Sequence, residues 1–156
     1  MSIDSYRIED EPTPGTLSSF AVNPLWPFVA VMFGGVWLSW SWFLLNSLAV
    51  GSPTRKKEIV WIVSGLIVST ALVLVILFMV GQGIIQDGHL KYYLLIITVW
   101  KLAVTYSLFN LQSHTIELYE YYGGQLKNGV FIVIAAVFVS PAVTGSMPPV
   151  LRLVLG

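Results

Sequence analysis

The sequence predicts an all-α membrane protein, a four-span antiparallel helix bundle whose third helix extends beyond the membrane. Three observations predict it. Of 156 residues, 56% are hydrophobic and only 10% are charged, where a soluble domain carries about 25% charged residues. Mean hydropathy is +0.78. Four apolar stretches lie at 25–50, 58–80, 91–111 and 129–144, each near the roughly 20 residues that a spanning helix needs. A buried soluble helix can supply one such run; four in one short chain point to a bilayer.

The elements follow in order. Residues 1–23 form an acidic tail, with Asp4, Glu9, Asp10 and Glu11 against Arg7, expected to be flexible and lacking the basic start of a signal peptide. The membrane domain is expected over 24–147. Asn23-Pro24 reads as a helix cap followed by proline at the first helical position, and Ser52-Pro53 repeats the device before the second span. Asp87 and Asn128 can cap the third and fourth helices. Gly51, Gly81 and Gly123-Gly124 stand where helices end. The third helix meets no breaker before Gly123 and would be roughly 50 Å long at 1.5 Å per residue, longer than a hydrocarbon core of about 30 Å. Its end then either projects or bends along the interface. Pro141 is expected to kink the fourth span. Residues 148–156 are expected to lie on, or re-enter, the face beyond it.

Charge sets the expected orientation. Arg55, Lys56 and Lys57 occupy the first turn of a helix, where the dipole disfavours cations, so the positive-inside rule accounts for them better than helix stability does. With Lys127 they place loops one and three in the cytoplasm of a bacterial inner membrane. Both termini, with Arg7, Lys91 and Arg152, are then expected outside.

Lys101 is the most conspicuous residue, at the middle of the third span, where a lysine costs about 2.5–3.5 kcal/mol on insertion scales. Thr98, Thr105 and Gln112 continue its helical face as a polar stripe. With no carboxylate inside any span, its partners are expected to be carbonyls, hydroxyls, water, lipid phosphate or another chain. A structural or interface lysine, a lysine in a pore, ion path or ligand site, and a snorkelling lysine all remain open. Gly34, Gly35 and Ser39 in span one, and Ala136, Ser140 and Thr144 in span four, form small-residue rows that let helices approach closely, within the chain or between copies. Trp26 fits an interfacial belt. Trp37 and Trp40 either wall a pocket or pack with their indole N–H bonded to a serine.

At the end of helix three, Glu117, Tyr119, Glu120, Tyr121 and Tyr122, together with Arg55, Lys56 and Lys57, form an expected docking patch for a cytoplasmic protein, because aromatics rimmed by charge suit an interface. His114, Glu117 and Glu120 share a helical face, but a solvated helix end explains them, and no metal or cofactor is expected. Zero net charge, from 8 basic and 8 acidic residues, excludes direct nucleic-acid binding, which needs a basic face. The absence of cysteine excludes disulfides, thiolate metal sites and a cysteine nucleophile. HExxH, GxSxG, Walker A and GxGxxG motifs are also absent.

The run Asn46-Ser47-Leu48-Ala49-Val50-Gly51-Ser52-Pro53 resembles the N-x-x-A-L-G-x-P signature of a broad set of four-helix bacterial membrane proteins of unknown function. Gly34, Gly35, Asn46, Ala49, Gly51 and Pro53 match, and Val50 stands in place of the usual leucine. The resemblance covers about a third of the chain. It implies a bacterial origin and four spans, and no activity. The expected function is a non-enzymatic membrane subunit, surrounded by lipid, that self-assembles and anchors or senses for a partner. The alternatives are an oligomeric pore or membrane-perturbing effector with Lys101 on the path, and a small carrier for a lipid or solute.

Overall fold

The computed structural model describes Pro12 and residues 15–156. The acidic residues of the N-terminal tail lie outside them. Among the described residues the chain is all-α, with helices α1 (Leu25–Gly34), α2 (Val36–Val50), α3 (Arg55–Gly81), α4 (Leu90–Tyr121), α5 (Val130–Phe138), α6 (Ser140–Ser146) and α7 (Pro149–Leu155). Two of them, α3 and α4, are long and apolar enough to cross a membrane.

The first apolar stretch is not one span. Residue 35 adopts φ 73° and ψ −176°, a region essentially confined to glycine, and there the chain reverses. Ser39 Oγ donates to the Pro27 carbonyl at 2.8 Å, and Asn46 bonds to the backbone of Val22, so α1 and α2 form an antiparallel hairpin. This corrects the four-span expectation. It also corrects the placement of the N-terminal segment, because Ala21 and Val22 return to the end where α2 stops. There the Lys127 N–H donates to the Ala21 carbonyl at 2.8 Å, and Ala21 packs with Ala49, Val50, Ile116 and Tyr119. The segment at 21–22 and the loops after α2 and α4 therefore share one end, here the near end. The α3–α4 connection makes the far end.

The other elements arrange around this hairpin. Helix α5 runs parallel to α1: Gly129 lies against the Trp26 ring, and Gly34 lies against Ala136 and Ser140. The Ser140 hydroxyl donates to the Gly34 carbonyl at 3.0 Å and accepts from Trp37 Nε1 at 3.0 Å. Gly34, Ser39, Ala136 and Ser140 of the small-residue rows thus serve contacts within the chain. Helices α3 and α4 are antiparallel, with Trp40 and Val104 pressed against Gly65. Helix α4 has 32 residues, about 48 Å at 1.5 Å per residue, as its unbroken sequence predicts.

The helix boundaries follow their local chemistry. Asn23 Oδ1 accepts the Leu25 N–H at 2.9 Å, Ser52 Oγ the Thr54 N–H at 3.2 Å, and Asn128 Oδ1 the Val130 N–H at 3.0 Å. A short 3-10 turn, Asp87–His89, precedes α4. The fourth stretch breaks at Val139, between α5 and α6, with Pro141 in the first turn of α6. Helix α7 then turns back. Leu153 packs against the far halves of α3 and α4, and Leu155 reaches Val36, Trp40 and Leu66. Arg152 ties the turn by donating to the carbonyls of Thr144, Gly145 and Met147.

Candidate functional site

Two buried centres hold the charged side chains of the interior, which also contains the smaller polar residues Ser39, Ser47, Ser69, Thr115 and Ser140. The first is at the near end. Asn46 Oδ1 accepts the Val22 N–H at 2.9 Å, and its Nδ2 donates to the Val22 carbonyl at 2.8 Å and to Gln112 Oε1 at 3.3 Å. Gln112 Nε2 donates to the Phe43 carbonyl and to Glu58 Oε2, both at 2.6 Å. Glu58 Oε1 accepts from the hydroxyls of Ser52 at 2.6 Å and Thr54 at 2.7 Å. Glu58 has no exposed surface. A carboxylate withdrawn from water is tolerated when its lone pairs are met, and this one is held by three neutral donors. One network thus links the N-terminal segment, α2, α3 and α4.

The local sequence explains the network. Gly51 closes α2 in the left-handed conformation, φ 67° and ψ 46°, which favours glycine. The Ser52 hydroxyl then lies at the start of α3. Along α3, Glu58, Gly65, Ser69, Val73 and Ile76 form the buried face, a helical spacing that turns Glu58 inward while Arg55, Lys56 and Lys57 stay exposed.

The second centre is Lys101, midway along α4 and 8% exposed. Its Nζ donates to the backbone oxygens of Leu153 at 2.8 Å and Gly156 at 2.6 Å. Lysine at the last carbonyls of a helix satisfies groups that have no intrahelical partner and complements the negative end of the dipole. The same end of α7 meets the hairpin turn: a Cβ on Gly35 would lie 2.5 Å from the Leu155 carbonyl oxygen. Two part-length elements, the α1–α2 hairpin from the near end and α7 from the far end, therefore meet beside Lys101.

The predicted stripe divides among different partners. Thr105 is buried; its Oγ1 accepts from Trp40 Nε1 at 2.8 Å and donates to the Lys101 carbonyl at 2.7 Å. Gln112 joins the near-end network. Thr98 is exposed, with its hydroxyl on the Leu94 carbonyl. The tryptophans are bonded packing residues, Trp37 to Ser140 and Trp40 to Thr105. Together they border a small cavity of about 120 Å³, separate from Lys101. Thr144 stays half-buried and bonds its own helix.

The expected docking residues gather at the near end. Arg55, Lys56, Lys57, Glu117, Glu120, Tyr121 and Tyr122 are exposed. Tyr119 is not part of that surface: it is 6% exposed in the core formed with Ala21 and Val50, and its ring lies under Gly124. Glu58 and the α7 backbone oxygens were not singled out by the sequence, and Ser52 was read only as a helix cap, not as a partner of Glu58. For Glu58 the signal was its register with Gly65 and Ser69. For the α7 backbone oxygens no local signal exists. Compared with known proteins, the chain matches no family model, no curated protein and no solved structure.

Proposed function

We propose that the chain is a non-enzymatic subunit of a membrane complex that docks a partner protein on its near end. The observation that carries this reading is the contrast between the near end's rigid base and its charged surface. The network from Val22 to Glu58 fixes four segments beneath a face bearing Arg55, Lys56, Lys57, Glu117, Glu120, Tyr121 and Tyr122. Fully satisfied buried polar networks rigidify what they join, and aromatics with charge at the rim suit a protein interface. Around the middle, Val60, Ile67, Leu74 and Phe78 on α3, Leu95, Ile96 and Val99 on α4, and Phe138 on α5 are exposed, an apolar girdle that favours lipid as the surroundings. The buried charged groups Glu58 and Lys101 both bond internally, which speaks for architecture over catalysis.

The distribution of cations between the two ends supports one orientation. Arg55, Lys56, Lys57 and Lys127 lie at the near end, against Lys91 and Arg152 towards the far one, so the positive-inside rule puts the near end in the cytoplasm. Self-assembly through the small-residue rows loses its support, since Gly34, Ala136 and Ser140 are already used inside the chain. A Lys101-lined path also draws little support, since α7 covers that side chain.

The test is native mass and partner identification after mild-detergent extraction, with crosslinking in cells. The reading expects a stoichiometric partner that is lost in Lys56→Glu/Lys57→Glu and in Glu120→Lys, while thermal stability stays within about 0.5 kcal/mol, as for exposed positions generally. A chain that is monomeric and alone after crosslinking overturns it.

A further inference from the structure

The pairing of α3 with α4 fixes which of their residues share a depth. Gln112 Nε2 donates to Glu58 Oε2 at 2.6 Å, and Val104 presses on Gly65. Because the two helices are antiparallel, Asn110 lies about level with Val60, Ser107 with Val63 and Ala103 with Ile67. The outer faces of the two helices differ at these levels. On α3, Val60, Val63 and Ile67 are 65%, 48% and 63% exposed, a surface suited to lipid. On α4, Ala103 and Asn110 are exposed and Ser107 is half-buried, so no large apolar side chain stands on that line. Further towards the far end, α4 turns apolar outside, with Leu95, Ile96 and Val99 each more than half exposed.

Asn110 is the costly member of this face. The Ser107 hydroxyl is satisfied by the Ala103 carbonyl at 3.0 Å. Among the described residues nothing bonds to the Asn110 side chain. An amide facing acyl chains forfeits its hydrogen bonds, whereas an amide facing another helix bonds across the contact. It is also its own complement, with two N–H donors and an acceptor oxygen. The spacing agrees. Ala103, Ser107, Asn110, His114 and Glu117 follow at intervals of four, three, four and three, the seam of a left-handed helix pair. Ala103 and Ser107 are small enough for two backbones to approach closely, and a polar residue at one seam position specifies register and strand number.

We infer that the outer face of α4 pairs with the same face of a second copy, the two helices parallel about a two-fold axis along the membrane normal, with Asn110 against Asn110. A two-fold contact brings identical patches together, which the self-complementary amide satisfies. The near ends of the two copies then stand side by side on one side of the membrane. The contact does not rest on the docking of a partner through Lys56, Lys57 and Glu120, and either can fail without the other.

The test uses the purified full chain in phosphatidylcholine vesicles at a high lipid-to-protein ratio, so that a second copy is the one protein partner present. The chain has no cysteine. Ser107→Cys and His114→Cys place single thiols on the seam, and Val63→Cys and Ile67→Cys place them on α3. Mild oxidation is expected to link dimers from the two seam positions and not from the two on α3. Self-association, read by energy transfer between labelled copies, should weaken at least about fivefold in Asn110→Leu and at least about tenfold in Ala103→Phe, the first for a lost interhelical bond and the second for a blocked approach. Both positions are exposed, where folding tolerates substitution. Equal crosslinking from the two helices, a monomer at every protein density, or unchanged association in either variant overturns the inference.

Discussion

Asn46 holds the backbone of Val22 from both sides, accepting its N–H at 2.9 Å and donating to its carbonyl at 2.8 Å. A side-chain amide thus supplies the pair of bonds that a neighbouring strand would give. Both residues are buried, so neither backbone group has water as an alternative. Asn46→Leu is expected to destabilise the protein by about 2 kcal/mol or more, since each stranded buried group costs about 1–3 kcal/mol. Thermal unfolding of the detergent-solubilised protein checks this. An unchanged midpoint would show that 15–23 is not anchored by Asn46.

Glu58 separates charge from hydrogen bonding. Glu58→Ala strands one N–H of Gln112 Nε2, whose other still donates to Phe43, and one of the two hydroxyls, since Ser52 and Thr54 lie 2.9 Å apart and can bond to each other; it is expected to cost about 2–3 kcal/mol, given about 1.5–3 kcal/mol for a bond to a charged group. Glu58→Gln is expected to cost less than half as much, because the Ser52 and Thr54 hydroxyls can rotate and accept from the new amide. The same unfolding measurement on both variants decides. Equal losses would mean that the negative charge itself is required.

Gly35 carries the reversal. Gly35→Ala is expected to cost at least about 1–3 kcal/mol from backbone strain alone, and the added Cβ also meets the Leu155 carbonyl. Gly81→Ala is the matched control. Nothing lies within 4 Å of a Cβ there, and a helical glycine replaced by alanine gains about 0.5–1 kcal/mol. Opposite signs for the two variants are the expected result.

Lys101→Met removes both bonds to the end of α7. Hydrogen exchange at 150–155 is expected to accelerate by more than about tenfold, since one bond from a charged donor contributes about 1.5–3 kcal/mol. Exchange at 43–50 should stay unchanged, because Asn46 and Gln112 bond elsewhere. A uniform acceleration over the whole chain would instead mark Lys101 as a determinant of global stability.

Much of this was legible in the sequence wherever the cause is local. Asn23, Ser52 and Asn128 each accept a backbone N–H at a helix start, although α1, α3 and α5 begin one or two residues later than those caps predict, at Leu25, Arg55 and Val130; α4 runs unbroken to Tyr121, and the spacing of Lys101, Thr105 and Gln112 puts all three inside. The expectation that no carboxylate lies inside a span overlooked Glu58, and the backbone partners of Lys101 could not be identified, because α7 lies some 50 residues away. The hairpin was hidden for a different reason. Residues 25–50 contain no polar break, and Gly34-Gly35 reads equally as a packing surface and as a turn. Glu58 was masked by the three cations before it. Tyr119 read as part of an exposed cluster, and only the fold shows Gly124 and Ala21 closing over it.

The most direct measurement is the sidedness of the first apolar stretch. The chain has no cysteine, so Ser19→Cys, Lys56→Cys and Gln82→Cys each introduce a single exposed thiol. Labelling in cells and in inverted vesicles with a membrane-impermeant maleimide reports its side. The hairpin predicts that Ser19→Cys and Lys56→Cys label together from the cytoplasmic side and Gln82→Cys from the other. Labelling of Ser19→Cys together with Gln82→Cys would restore a full first span and contradict the account.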